Sequence, residues 1–316
     1  MKDPYTIKAQ QKLRNTFLQI KTTEELASVL RISLPKLSYL AIDPKYFNWY
    51  RFDKKKKRVM NIPNGDLKKV QARLNTFLQA VYSDILPDNV HGFVKCPDGM
   101  GKKRSIKSNA AVHCGKDFVV NMDIKEFFRS INAKLVRKTF LGEPFNFNMD
   151  VASAIALICI YKYTLPMGSP ASPIVSNLVF YPLDLKIIEL ANTEGYEYTR
   201  YADDLTFSGD HRPDVLFLDA IAKELDTIGL KLNQRKFRVC SKYSAQRVTG
   251  LKVNEKVNVD RKYIRLLRAI QHDVEMNGKI SAAKRYLKKE YLEESDLNYF
   301  EKSMQGKLLF VKEMKK

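Results

Sequence analysis

Glu197-Tyr198-Thr199-Arg200-Tyr201-Ala202-Asp203-Asp204-Leu205-Thr206-Phe207-Ser208-Gly209 sets two adjacent carboxylates between segments that alternate bulky or β-branched residues with polar ones. Alternation of period two predicts half-buried strands, so Asp203 and Asp204 fall near the tip of a hairpin. Two like charges side by side are unfavourable unless a cation neutralises them. An Asp-Asp pair in an arbitrary protein is most often an ordinary polar turn. Two features count against that here. The flanks are strand-like, and a third carboxylate, Asp123, ends another apolar run, Phe118-Val119-Val120-Asn121-Met122. Three carboxylates at the ends of two strands form an oxygen-rich site suited to Mg²⁺.

The rest of the composition narrows the partners. At 316 residues the chain is long enough for two or three subdomains, and its 45% hydrophobic content is ordinary for a globular protein. Charge is the outlier: 55 Lys+Arg against 35 Asp+Glu leaves +20. Such a surplus points to a polyanion, with nucleic acid the commonest and an anionic membrane surface the competing reading. No apolar run reaches membrane-spanning length, Val151 to Tyr161 being the longest candidate, and no signal peptide is visible. The expectation is a cytoplasmic protein. Cys96, Cys114, Cys159 and Cys240 show neither CxxC spacing nor a disulfide framework, and are expected to be reduced and structural. The four histidines form no HxxxH or HxH pair, which argues against zinc.

From the N-terminus, residues 5 to 20 have helical spacing. Thr22 with Glu25 predicts a capping box, and Ser33 followed by Pro35 predicts a second helix start. The pair resembles a helix-turn-helix, but short helical pairs are common packing units, and an N-terminal helical cap is the preferred reading. Tyr46 to Phe52 and Arg58 to Pro63 predict a hairpin around the basic turn Asp53-Lys54-Lys55-Lys56-Lys57. Asp66 to Leu86 predicts a helix. The segment from His91 to His113 is basic and loop-rich. Asp123 opens a strand-to-helix turn through Phe127-Phe128, and residues 132 to 164 read as mainly helical. Leu165-Pro166-Met167-Gly168-Ser169-Pro170-Ala171-Ser172-Pro173 is a fixed turn feeding a helix, a plausible floor for a base pair or simply a connector. After an amphipathic helix over Pro213 to Ile228, Gly229 to Lys236 is expected to start a strand. Arg247 to Leu251 with Lys256 to Val259 suggests a hairpin, and residues 261 to 316 read as basic helices.

The order Asp123 with Phe127-Phe128, the 165–173 turn, Tyr201-Ala202-Asp203-Asp204 and Gly229 to Lys236 resembles the palm of reverse transcriptases. Asn109-Ala110-Ala111-Val112-His113 looks like the NAxxH motif of the bacterial retron group, and Val248-Thr249-Gly250 looks like its VTG motif. The likeness spans about residues 46 to 260. It implies an α+β right-hand polymerase: fingers, a palm with an antiparallel sheet and a short helical thumb, preceded by an N-terminal helical segment. The implied divisions are 1–45 for the N-terminal helices, 46–122 for fingers, 123–250 for palm (with fingers-like helices within 132–164) and 251–316 for an RNA-binding thumb.

Residue roles follow from the same resemblance. Asp123, Asp203 and Asp204, with the backbone of Ile124, would hold two Mg²⁺ ions, and Lys236 would approach the leaving phosphate. Arg58, with Lys54 or Lys57, would clasp the nucleoside triphosphate. Phe128 would exclude a ribose 2′-OH. Met167, Gly168, Ser169 and Tyr201 would line the nucleotide site, although Met167 stands where many relatives have Gln and cannot donate that amide hydrogen bond. Asn109, His113, Val248, Thr249 and Gly250 would contact RNA. The implied activity is RNA-directed DNA synthesis on a cognate structured non-coding RNA, primed from a 2′-OH to give branched multicopy single-stranded DNA. Partners would be that RNA, its DNA product, deoxynucleoside triphosphates, an effector protein of an anti-phage defence system and a host RNase H, with no membrane role. A group II intron-like or diversity-generating reverse transcriptase, or an inactive palm-fold RNA-binding protein, are the alternatives.

Overall fold

A computed structural model describes residues 6–53, 56–95 and 104–315, with the side chains of residues 52, 53, 56–58 and 315 left out of the description. Three helices come first: α1 (Ile7–Leu18), α2 (Thr23–Leu30) and α3 (Leu34–Ile42). Thr22 and Glu25 close the expected capping box, and Ser33 caps α3 with Pro35 in its first turn. Phe17 of α1 is fully buried against Phe77, Phe145 and Phe147, with ring centroids 5.5, 6.2 and 5.5 Å away. The N-terminal helices therefore share the main core rather than standing apart.

Strands β1 (Tyr46–Asp53) and β2 (Lys56–Pro63) form an antiparallel hairpin in which Trp49 faces Met60. Helix α4 (Gly65–Ile85) follows, presenting Leu67, Val70, Leu74, Leu78 and Val81 to the core. A short helix α5 (Ile106–Ala111) precedes β3 (Phe118–Asp123), and α6 (Phe127–Ser130), α7 (Ala133–Leu141) and α8 (Met149–Cys159) come next. Helix α9 (Ser172–Thr193) is buried along most of its length and backs β4 (Glu197–Tyr201), which pairs with β5 (Asp204–Gly209). After α10 (Val215–Asp226) come β6 (Arg238–Ser241), β7 (Arg247–Val248) and β8 (Leu251–Lys252). The chain then runs through α11 (Arg261–Leu287), broken at Gly278, and α12 (Glu294–Lys315).

The central sheet has the order β4-β5-β3-β6, antiparallel throughout. Two smaller cores flank the main one. Ala110, Val119, Val248, Leu251, Val253, Val259 and Met314 join α5, the β7–β8 pair and the end of α12. Leu267, Ala282, Ala283, Phe300 and Met304 join α11 to α12.

Two expectations are corrected. Gly229 to Lys236 is not a strand. Asn233 turns back so that its backbone N–H bonds Asp123 O at 2.7 Å, and the ladder begins only at Arg238. The second hairpin is shorter than expected: Arg247–Val248 pairs with Leu251–Lys252, and Asn258 touches only Lys252. Its central residues Thr249 (φ 47°) and Gly250 (φ 84°) are both left-handed, which produces the tight primed turn that suits strand twist.

Candidate active site

Strand register brings the acidic residues together. Asp123 lies directly opposite Asp204 where β3 pairs with β5, and paired residues on neighbouring strands have Cα atoms roughly 5 Å apart. Asp203 sits on the connecting turn, and its carbonyl accepts the N–H of Ile124 at 3.0 Å. Asp204 opens to solvent, but desolvation by the cleft walls and the charges of Asp203 and Asp123 push its pKa up to about 6, with Lys236 pulling the other way. Three carboxylates thus share one electrostatic environment.

The tight convergence of all three expected from the sequence is not seen. Among the described residues no three Asp, Glu, His or Cys side chains are grouped closely enough to hold a metal ion. The reason lies at Asp123, which is buried: Lys236 Nζ pairs with its Oδ1, and Asn233 Nδ2 donates to its Oδ2 at 3.0 Å. The donor set is nevertheless suited to a hard divalent cation, because it is made of carboxylate oxygens and carries an excess of negative charge.

Asp123 and Asp204 face a cleft of about 490 Å³. Tyr201, Asp123, Asp204 and Lys236 line one part of it, and Arg247, Thr249 and Gly250 line another. Residues far apart in sequence therefore reach one concave surface. Phe128, half-buried after the left-handed Glu126, packs against Phe93 and Phe127 with centroids 5.9 and 5.7 Å away. The triphosphate clasp expected at Lys54, Lys57 and Arg58 lies outside the described side chains.

The 165–173 turn docks beneath the β1–β2 hairpin. Met167 O accepts Asn61 N–H at 2.6 Å, and a Cβ on Gly168 (φ 114°) would approach Asn61 O to 3.0 Å. Ser169 is buried. Its hydroxyl donates to Gln71 Oε1 at 2.7 Å and accepts Ala171 N–H, while Gln71 Nε2 donates to Tyr46 Oη and Ile158 O. Only Gly168 of this pair is open, and the buried Ser169 hydroxyl is engaged in fixing the turn.

The expected RNA contacts divide in the same way. His113 is fully buried, with Nδ1 at 2.7 Å from Ser208 Oγ and Nε2 at 2.7 Å from Thr199 Oγ1. Burial, assisted by His91 and Lys116, pushes its pKa down to about 3, so the ring is neutral and ties β4 to β5. Asn109 and Val248 are buried as well. These three side chains have no surface to offer RNA, and their place beneath the hairpin is the physical reason. Thr249, half-buried with Oγ1 bonded to Ile106 O at 3.1 Å, and the exposed Gly250 remain at the cleft.

Several residues that the sequence reading did not single out surround the Asp203–Asp204 turn. Arg200 is fully buried and forms a bidentate ion pair with buried Asp184, at 2.8 and 2.5 Å. Asn177 bonds both Arg200 and Gly92 O. A Cβ on Gly92 would overlap the backbone nitrogen of Ala202. Period-two alternation offers a signal for Arg200, since it shares a face of β4 with buried Tyr198. Asp184, Asn177 and Gly92 give none without the fold.

Residues 44–253 match the family described as reverse transcriptase (RNA-dependent DNA polymerase). Among curated proteins, Retron Ec86 reverse transcriptase of Escherichia coli is 32% identical over 272 residues, covering 83% of this chain and 81% of that one. Retron Mx65 reverse transcriptase of Myxococcus xanthus is 30% identical over 296 residues, 84% of this chain and 66% of the relative. A solved structure of apo telomerase from Candida tropicalis, truncated from its C-terminal domain, aligns with a TM-score of 0.51 at 11% identity. It covers 72% of this chain and 61% of its own, a likeness of fold alone. The chain belongs to the retron-type reverse transcriptases and is an RNA-directed DNA polymerase with the polymerase fold.

Proposed function

We propose that this polymerase copies a cognate structured non-coding RNA into branched single-stranded DNA, primed from a ribose 2′-OH, with Asp123, Asp203 and Asp204 holding two Mg²⁺ ions. The observation that carries the reading is the register of β3 on β5, which sets Asp123 opposite Asp204 beside the turn bearing Asp203. When bound, the divalent ions would lower the pKa of the attacking hydroxyl and neutralise charge on the phosphates. The chain's own residues do the rest. Asn233 orients Asp123 through a hydrogen bond at 3.0 Å, and the N–H of Ile124 fixes the Asp203 carbonyl. Lys236 would exchange its partner Asp123 for the departing phosphate, and Tyr201 forms the adjacent wall. Phe128 would discriminate against a 2′-OH, with Gly168 and the backbone of Met167 under the incoming pair and Lys57 and Arg58 reaching its phosphates.

The wider divisions belong to the same proposal: fingers over 46–122, palm over 123–250 and an RNA-gripping thumb over 251–316, where Lys and Arg outnumber Asp and Glu 16 to 10. The net charge of +20 supports a partner with many phosphates. No described helix is long and apolar enough to cross a membrane. An effector protein, a role in anti-phage defence and template removal by a host RNase H complete the proposed setting, in the cytoplasm.

Extension of a primed RNA template with Mg²⁺ tests the chemistry. Asp203→Asn should reduce the rate by ~10³-fold, since a lost metal ligand removes several kcal/mol of charge stabilisation. Equal product from both proteins removes the metal assignment. Sequencing of copurifying nucleic acid tests the substrate: covalently branched RNA–DNA supports the reading, and unbranched cellular RNA overturns it.

A further inference from the structure

Asp203 lies between two backbone carbonyls, each held by a hydrogen bond. Its own carbonyl accepts Ile124 N–H at 3.0 Å, and the preceding one, Ala202 O, accepts Arg200 Nη1 at 3.1 Å. Ala202 is left-handed at φ 59°, a conformation unfavourable for a residue that carries a Cβ. Something must hold it, and Arg200 reaches forward two residues to do so. Its guanidinium has five N–H donors, and four bonds are made: Nε and Nη2 to Asp184, and Nη1 to both Asn177 Oδ1 and Ala202 O.

The surroundings fix the guanidinium in turn. Burial opposes its charge, but Asp184 outweighs that and raises the pKa, so the group stays cationic. Tyr198 Oη donates to Asp184 Oδ1 at 3.0 Å, and the face of Phe180 lies 4.5 Å from the guanidinium carbon. The main chain of Arg200 is pinned as well, its N–H to Asn89 O at 2.8 Å and its carbonyl to His91 N–H at 2.9 Å. A buried ion pair is a poor way to gain stability, because desolvation offsets its attraction. What the planar fork supplies, and a lysine cannot, is several fixed directions at once.

We infer that Arg200, held by Asp184 and Asn177, is a positioning residue that sets the peptide plane leading into Asp203 and thereby aims its carboxylate at the metal site. The inference rests on the polymerase reading above. It predicts that loosening Arg200 weakens divalent-cation binding and turnover together, with nucleotide KM nearly unchanged.

The test uses the full chain and Mn²⁺ as probe, with binding followed by calorimetry and by paramagnetic broadening of bound water. Arg200→Lys should raise the Mn²⁺ midpoint about five-fold or more and lower kcat about ten-fold, with KM for nucleotide within two-fold. Asn177→Ala leaves the ion pair in place, provides the readout if Arg200→Lys does not fold, and should raise the midpoint about two- to three-fold. Folded variants with a wild-type midpoint overturn the inference, as does a loss of rate that cooling fully restores. Wild-type protein that neither binds Mn²⁺ nor extends a primer overturns the polymerase reading itself, a result distinct from either.

Discussion

Two hairpins meet at the cleft, and each bends through a left-handed residue that is not glycine, Ala202 between β4 and β5 and Thr249 between β7 and β8. They are held very differently. The first is packed by Gly92 from above, gripped by Arg200 from within and laced together by His113 across Thr199 and Ser208. The strands of the second are anchored by buried Val248 and Leu251, but its tip has one side-chain bond, from Thr249 to Ile106 O, beside a Gly250 whose Cβ direction is open space. Rigidity is concentrated where carboxylates must be aimed. The tip of the facing wall has fewer side-chain ties.

Five measurements would break or sharpen this contrast. Gly92→Ala forces a methyl into the Ala202 backbone and should lose about 3 kcal/mol in chemical denaturation, a large overpacking penalty; an unchanged midpoint would show that the first hairpin is not braced from that side. His113→Ala leaves two buried hydroxyls without their ring partner and should lose about 2–3 kcal/mol. His113 and His91 are held down to about 3 and 4 by burial, so both are neutral when folded and protonate more readily unfolded. Their contribution is complete above the ordinary histidine pKa of about 6.5 and is lost as pH falls from there toward 4. Melting temperature between pH 7.5 and 4.5 should therefore decline, and more gently in His113→Asn.

Asp204 supplies the fourth measurement. With a pKa near 6 in the metal-free chain, it must release a proton on binding a cation at lower pH. The Mn²⁺ midpoint should rise by up to about ten-fold per pH unit below 6 and stay flat above 7. Thr249→Ala has the smallest effect: one lost hydroxyl bond is worth about 1 kcal/mol, and metal binding should not change. A metal effect equal to that of Asn177→Ala would erase the distinction between the hairpins.

Much of this geometry was legible in the residues. Alternation around Asp203–Asp204 located the hairpin, and the apolar run ending at Asp123 located its partner strand, because a strand's burial is written in its period. Caps at Thr22 and Ser33 marked helix starts for local reasons that need no tertiary context. The Gly229 to Lys236 segment misled because Leu230 and Leu232 mimic strand alternation, whereas Asn233 is captured by Asp123, a contact 110 residues away in sequence. His113 and Asn109 were expected to contact RNA because they fall in the stretch that resembles the NAxxH motif. Their burial depends on how α5 meets β4 and the β7–β8 pair, which no local pattern encodes.

The far end of α12 carries a mechanical consequence. Met314 is buried with Val248, Leu251 and Val259, and Lys107 Nζ bonds Glu313 O at 3.2 Å, so the last helix returns to the small core from which α11 departs. The two-helix unit is moored at both of its ends. Moving the pair against the sheet therefore strains two chain connections at once, the entry at Val259 and the return at Met314.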